Sequence, residues 1–182
     1  MNQPGWQPLL DAIDAATDPR VKHALQLVAE HVVAEVEGDI PRLLATLVPE
    51  PTYRFWGAGM NGRTTLTGET QVRSFYDHLI GSGKNRLDYV LDRVVADAAT
   101  VITEGVIHHV LDGADLVGRV STPVEAGHWY HVTYQSLILW PIDPASGLLT
   151  GEEVYLGSDH TVVREISAEE LPHLGSTTRG VG

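Results

Sequence analysis

The segment TEGVIHHVLDG, residues 103–113, sets two histidines side by side in an apolar, β-branched run. Imidazoles are common metal ligands and the usual acid–base groups near neutral pH, so the pair raises both kinds of chemistry. The period of the run limits what is available. Successive side chains of a strand point to opposite faces, so His108 and His109 cannot enter one cavity together. The same parity divides His128 from His131 in HWYH. A strand-borne metal site needs H-x-H, and neither that pattern nor HExxH occurs. No metal site is expected, and at most one histidine of the pair is a functional candidate. The ordinary place of a histidine is a half-buried surface or interface position, which accounts for most of the nine.

Other chemistries drop out on residue types. With no Cys there is no thiol nucleophile, no disulfide framework and no cysteine-ligated zinc. There is no G-x-S-x-G, no P-loop and no G-x-G-x-x-G between strand and helix. The glycines of GAGMNG open no helix at the right distance and read as a loop. No cofactor is expected. A formal net charge of -12 repels phosphate backbones, so a nucleic-acid partner is not expected either. No apolar stretch is long enough to span a bilayer and the N-terminus does not read as a signal peptide. These features lead us to expect a soluble cytoplasmic protein with no membrane partner.

The aromatic residues are more informative. Tyr53, Phe55, Trp56, Phe75, Tyr76, Tyr134 and Trp140 fall within periodic segments. Most of them suit a core. Four Trp and six Tyr in 182 residues also carry many polar handles to satisfy when buried. That combination suits a lined pocket for a small hydrophobic molecule.

The elements that must position these residues follow from caps and periods. Asp18-Pro19 starts a helix whose Val21, Leu25, Val28, Val32 and Val36 repeat at helical spacing up to Gly38. Asp39 caps a second, short helix ended by Pro49 and Pro51. TYRFWGAG reads as a short strand or turn, and Asn61-Gly62 and Gly68 as a loop. GETQVRSFYDHLIGSG is a third helix with Val72, Phe75, Tyr76 and Leu79 on one stripe. From Asn85 the period changes to two, through RLDYVLDRVVAD, ATVITEGVIHHVLDG, HWYHVTYQSLILWPID and LLTGEEVYLG. The intervening DGADLVGRVSTPVEAG is long for a hairpin and reads as a loop at the mouth of the structure. The tail carries at most a short helix at SAEELPHL. Helices followed by antiparallel strands give an α+β class, a curved antiparallel sheet wrapped around three helices. We expect an N-terminal extension over 1–17, one domain over 18–165 and a C-terminal tail over 166–182. The sheet's convex face needs a cover, and a homodimer through that face is the simplest one.

In this order of elements VEGDIPRLLATLVPEPTYRFW, TGETQVRSFYDHL and the strands with TEG and WPID…GEEVY resemble the SnoaL-like branch of the nuclear transport factor 2-like (cystatin-like cone) superfamily. The resemblance covers roughly Asp18 to Gly157. It implies a cone with a pocket between the helices and the concave sheet face, and commonly a dimer. It reaches ketosteroid isomerases, epoxide hydrolases, dehydratases and polyketide cyclases, and also non-catalytic members. Carried over by the Gly38-Asp39 turn, the isomerase's oxyanion-holding tyrosine falls at His31. Its general base falls at Phe55 and its second oxyanion group near Ile138. Limonene epoxide hydrolase's arginine and two aspartates fall at Gly105, Ile107 and Val154, and its water-holding tyrosine matches Tyr53. Both acid–base sets are therefore broken.

The resemblance also implies a facing. If Gly105 and Ile107 face the pocket, so do Thr103 and His109, while His108 faces the convex side. Glu152 and Val154 point inward on the last strand, as do Tyr130, Tyr134, Ser136, Ile138 and Trp140 on the one before. Candidate hydrogen-bond donors are Tyr53, Tyr134 and His31, and candidate bases are His109 and Glu152, with His78 near the mouth. Phe55, Trp56, Phe75, Tyr76, Ile107, Ile138, Trp140 and Val154 are the expected substrate contacts. Two functions fit. One is a cofactor-independent isomerase, dehydratase or cyclase working by acid–base chemistry on a hydrophobic molecule. The other is a non-catalytic ligand-binding or dimeric accessory protein, favoured by the apolar residues where relatives hold carboxylates.

Overall fold

A computed structural model describes residues 5–57 and 64–171. Helices α1 (Gln7–Ala15), α2 (Pro19–Glu37) and α3 (Ile40–Leu44) come first, followed by strands β1 (Thr52–Gly57) and β2 (Thr64–Thr67). Helix α4 (Glu69–Gly81), β3 (Leu87–Ala96), β4 (Thr100–Asp112) and the short α5 (Gly113–Leu116) come next. Strands β5 (Trp129–Pro141), β6 (Glu153–Leu156) and β7 (Thr161–Ile166) complete the chain.

The helix that matters most is α2, and its ends follow from residue type. Asp18 accepts the Arg20 N–H at 2.8 Å, and Pro19, which has no N–H to satisfy, takes the first turn. Gly38 ends the helix at φ 75°, a left-handed conformation in which the Asp39 N–H reaches Ala34 O at 2.9 Å. Between these caps Ala24, Leu25, Val28, His31 and Val32 form one buried stripe against the sheet. Burial of each Val or Leu of the stripe contributes about 1.5–3 kcal/mol.

Seven strands make one open sheet in the order β2-β1-β6-β5-β4-β3, with β7 pairing the opening half of β5. Its spine is the thirteen-residue antiparallel ladder of β4 on β5, from Thr100↔Pro141 to Asp112↔Trp129. A bulge at Asp92 shifts the β3–β4 register between Leu91 and Arg93, and a bulge bends and twists the strand that carries it. Gly105 lies opposite, where a Cβ would come within 2.1 Å of Val90 O, so no side chain fits there. Inside the bend, Tyr89 hydroxyl lies 3.1 Å from Thr103 O and 3.0 Å from Ser136 O, and Trp140 Nε1 donates to Thr103 Oγ1 at 2.9 Å.

The α+β cone and the strand periods agree with the sequence reading, and several details differ. The residues expected as an N-terminal extension carry α1, which packs on α2 and β3, with Trp6 and Leu9 buried in the main core. Strand β2 begins where a loop was expected and closes a hairpin with β1. The sheet is mixed, because β1 and β6 pair in parallel, Arg54↔Glu153 to Gly57↔Leu156. Their contact is formed between distant parts of the chain, and no local pattern signals it. The segment expected as one strand over 148–157 is a strand only from Glu153, and a further strand, β7 (Thr161–Ile166), lies at the end of the expected domain and runs one residue past its boundary at 165. The long loop after β4 opens with α5. The expected turn at Asn61-Gly62 and the end of SAEELPHL lie outside the described residues. No helix of the described residues is long and apolar enough to cross a membrane.

Candidate functional site

A cavity of about 140 Å³ lies between α2, α4 and the concave side of the sheet. Helix α2 contributes Val32 and Glu35, and α4 contributes Phe75 and Tyr76. The sheet supplies Phe55, Ile107, His109, Tyr134, Ile138, Trp140 and Val154, and Glu152 enters from the residue before β6. The facing expected for β4, β5 and the last strand thus coincides with the observed cavity wall at Ile107, His109, Tyr134, Ile138, Trp140, Glu152 and Val154. A larger groove of about 630 Å³ outside the cone runs past Thr52, Arg54 and Glu153. Its Arg54 and Glu153 are already paired at 2.9 Å, which leaves it without comparable chemistry.

His31 and Tyr53 stand just behind the wall, fully buried. Trp56 is a correction to the expected substrate contacts. It follows Phe55 along β1, so it points to the opposite face, where it stacks on Tyr155 with ring centroids 5.8 Å apart. His78 lies on the exposed side of α4 rather than at the cavity. His108 faces the convex side, its Nδ1 3.0 Å from His131 Nε2.

The polar residues converge at the end of the cavity nearest α2. Thr46 hydroxyl donates to Leu43 O at 2.6 Å, so its oxygen accepts the His31 Nδ1–H, also at 2.6 Å. The Nδ1 proton is thereby fixed, and His31 Nε2 faces Glu152 Oε1 at 2.9 Å and the Tyr53 and Tyr76 hydroxyls at 3.2 Å each. A nitrogen lone pair and a carboxylate oxygen do not meet at 2.9 Å without a proton between them. The His31–Glu152 pair therefore shares one proton, and Tyr76 hydroxyl adds a donor to the same Glu152 oxygen at 3.0 Å. Burial first, and the Glu152 charge second, raise both tyrosines' pKa well above the ordinary phenol value.

Glu35 is the residue that sequence reasoning missed. It sits one helical turn after His31, on the same face of α2, and a carboxylate there reads from sequence as solvated. The available signal was that spacing, which sets i and i+4 side chains together. Among the described residues the Glu35 carboxyl has no hydrogen bond or ion pair. It is half-buried and lines the cavity. Burial, and then the nearby Glu152 charge, push its pKa up to about 8. The donor atoms of His31, Glu35 and Glu152 lie within 4.8 Å of one another, a spacing at which one cation could be shared.

The opposite end is quieter. His109 Nε2 donates to Lys84 O at 2.5 Å, which leaves Nδ1 to accept the Tyr134 hydroxyl at 3.1 Å. Burial lowers the His109 pKa to about 4, so the ring is neutral at pH 7 with both nitrogens engaged. Burial, and then Glu35's charge, raise the Tyr134 pKa.

No protein-family profile matches the chain, and no curated protein matches it in sequence. Solved structures do match. A protein assigned as a SnoaL-like polyketide cyclase, from Shewanella putrefaciens CN-32, has TM-score 0.61 at 12% identity, covering 86% of this chain and 89% of that one. An NTF2-like protein from Anabaena variabilis ATCC 29413 has TM-score 0.55 at 16% identity, covering 80% and 95%. The epoxide hydrolase/cyclase-like enzyme SalBIII, with a role in pyran ring formation in polyether salinomycin, has TM-score 0.55 at 14% identity, covering 76% and 95%.

Proposed function

For a chain with the SnoaL/NTF2-like cone fold, we propose an acid–base enzyme acting on a small, largely apolar alcohol, epoxide or carbonyl compound, of the dehydratase, isomerase or cyclase type. The observation that carries this reading is Glu35, a carboxyl that lines an apolar cavity with no hydrogen bond or ion pair among the described residues, beside a second, paired carboxyl, its pKa pushed up to about 8 by burial. An unpaired carboxyl beside one already held by a histidine can divide the roles of acid and base with it.

In this mechanism Glu35 gives its proton to the substrate oxygen. In a dehydration the C–O bond then breaks and the oxygen leaves as water. Glu152, held by His31 and Tyr76, takes the proton from the adjacent carbon as the double bond forms. In a cyclisation Glu152 takes it from the attacking hydroxyl instead. Afterwards Glu35 is ionised and Glu152 carries the extra proton, and proton exchange within the cluster or with water resets them. His31 and Tyr53 act as positioning residues, since they touch Glu152 or its partners and do not line the cavity. A cavity of about 140 Å³ is in the range that holds a single aromatic ring. Of the functions considered, the ligand-binding one is supported by the apolar Phe55, Ile107, Ile138 and Val154 in the wall.

The test is to incubate the protein in D₂O with monocyclic epoxides, tertiary and allylic alcohols and ketones, following product and deuterium uptake by mass spectrometry. Conversion or exchange that disappears in Glu35→Gln is expected. Conversion that survives Glu35→Gln removes the proposed acid, and no conversion of any class favours the ligand-binding reading.

A further inference from the structure

We infer that this cavity also binds small organic cations, with the ammonium of a single-ring amine seated against Glu35 and its ring among the aromatic side chains. The inference rests on the same placement of Glu35 as the reading above, and it makes no use of turnover.

The argument starts from charge pairing. Glu152 already has a partner, His31 at 2.9 Å. Glu35 has none among the described residues, and no described Lys or Arg lines the cavity. A buried carboxyl in that position has two ways to be satisfied. It can keep its proton and donate it to a neutral oxygen, or it can lose the proton to a ligand that brings a positive charge. A protonated amine does the second. It supplies the donors and the counter-charge that Glu35 lacks, and charge-assisted hydrogen bonds of this kind are about twice as strong as neutral ones.

The walls favour the same ligand. Phe55, Phe75, Tyr76, Tyr134 and Trp140 present aromatic surface to the cavity, and aromatic faces attract ammonium groups most strongly where water is excluded. Tyr134 adds an acceptor, since its proton is given to His109 Nδ1 at 3.1 Å and its oxygen lone pairs remain. An anion meets the reverse of each term. It would face two carboxyl groups, π-faces and phenol oxygens whose protons are already committed.

The experiment uses the full chain at pH 7 with three ligands of nearly equal size: benzylamine, benzyl alcohol and benzoate. Thermal shift and calorimetry read binding. Benzylamine is expected to bind about tenfold or more tightly than benzyl alcohol, with no detectable benzoate binding. Glu35→Gln should bring benzylamine down to the level of the alcohol measured on the same variant, and Glu35→Asp should retain part of the preference. Equal binding of all three ligands overturns the inference, and so does a benzylamine preference that survives Glu35→Gln. The wild-type series alone decides the matter if a variant fails to fold. Mn²⁺ or Zn²⁺ alone forms a further arm. A metal-induced shift that abolishes the benzylamine response would assign the cation site to the metal and overturn the inference. Turnover without amine preference would sink this inference and leave the acid–base reading intact. Amine preference without turnover would do the opposite.

Discussion

His31 and His109 are both buried, both on the cavity side of the fold, and both within hydrogen-bond reach of a tyrosine. Their remaining partners differ. His109 gives its Nε2 proton to a backbone carbonyl, which cannot ionise, and the neutral ring is the form its surroundings favour. His31 gives its Nδ1 proton to Thr46, which leaves Nε2 for a carboxyl group that can give or take a proton. The contrast teaches that burial alone does not make a histidine reactive. What counts is whether its second nitrogen meets a titratable group or a fixed dipole. Glu35 extends the contrast, because it lies beside the His31 cluster and has no such counterpart bonded to His109.

The largest expected effect follows from Glu35. Glu35→Gln keeps the shape and removes the proton, and should lower kcat by about 10²–10⁴-fold, the usual contribution of a positioned acid. Far-ultraviolet circular dichroism and the unfolding midpoint should remain as in the wild type. A kcat within a few-fold of wild type would take the acid role away from the α2 end of the cavity.

The two histidines should also differ in stability. His31→Leu strands Glu152 in a buried position, and breaking such a pair costs about 3–5 kcal/mol. His109→Leu leaves one carbonyl and one phenol unsatisfied, a loss of about 1–3 kcal/mol. Urea unfolding of both variants measures the difference. Equal losses would show that the His31–Glu152 contact is no more than an ordinary hydrogen bond.

How much of this was legible from the sequence depends on how local the cause is. The ends of α2 were legible because Asp18-Pro19 and Gly38 act on their own backbone neighbours. The opposite facing of His108 and His109 was legible because parity is a property of one strand. The β1–β6 pairing was not, since it joins residues about a hundred positions apart and leaves no periodic trace. Trp56 was misplaced although parity was available: it follows Phe55, and adjacent residues of a strand point to opposite faces, so only one of the two could line the cavity. His31, Tyr53 and Glu152 were named from the resemblance, but not their convergence with Tyr76 on one point. Glu35 went unnoticed because its character comes from the Glu152 charge and the enclosing walls, neither of which is adjacent to it in the chain.

A pH experiment separates the two ends of the cavity by sign. Glu35 titrates at about 8 in the folded protein against an ordinary value of 4.5. Across that window the folded state keeps a proton the unfolded chain has lost, so stability falls as pH rises. His109 titrates at about 4 when folded against 6.5, so its contribution is present above 6.5 and lost as pH falls toward 4. The two slopes oppose each other between 4.5 and 6.5; above 6.5 Glu35 acts without His109, and the exposed His128, raised by its hydrogen bond to Glu165, adds to the slope with the same sign. There the wild type should lose stability on the order of 1 kcal/mol per pH unit, and Glu35→Gln should show a flatter profile. Urea unfolding at pH 6.5 and 8 tests this, and parallel profiles would mean that Glu35 does not hold the extra proton.

The smallest effect is expected where the opening segment first drew attention. His109→Gln keeps a donor for Lys84 O and an acceptor for the Tyr134 hydroxyl, the two bonds His109 makes. If its role is to hold Tyr134 in the wall, turnover should change by less than about tenfold, below the range for loss of an acid–base group. The pH profile of kcat should also keep its wild-type shape, because no titrating group has been removed near neutrality. Loss of turnover in His109→Gln, with Glu35→Gln still active, would reverse the comparison. The base would then lie on β4, and Tyr134 would have to release the His109 nitrogen it bonds before any proton could move.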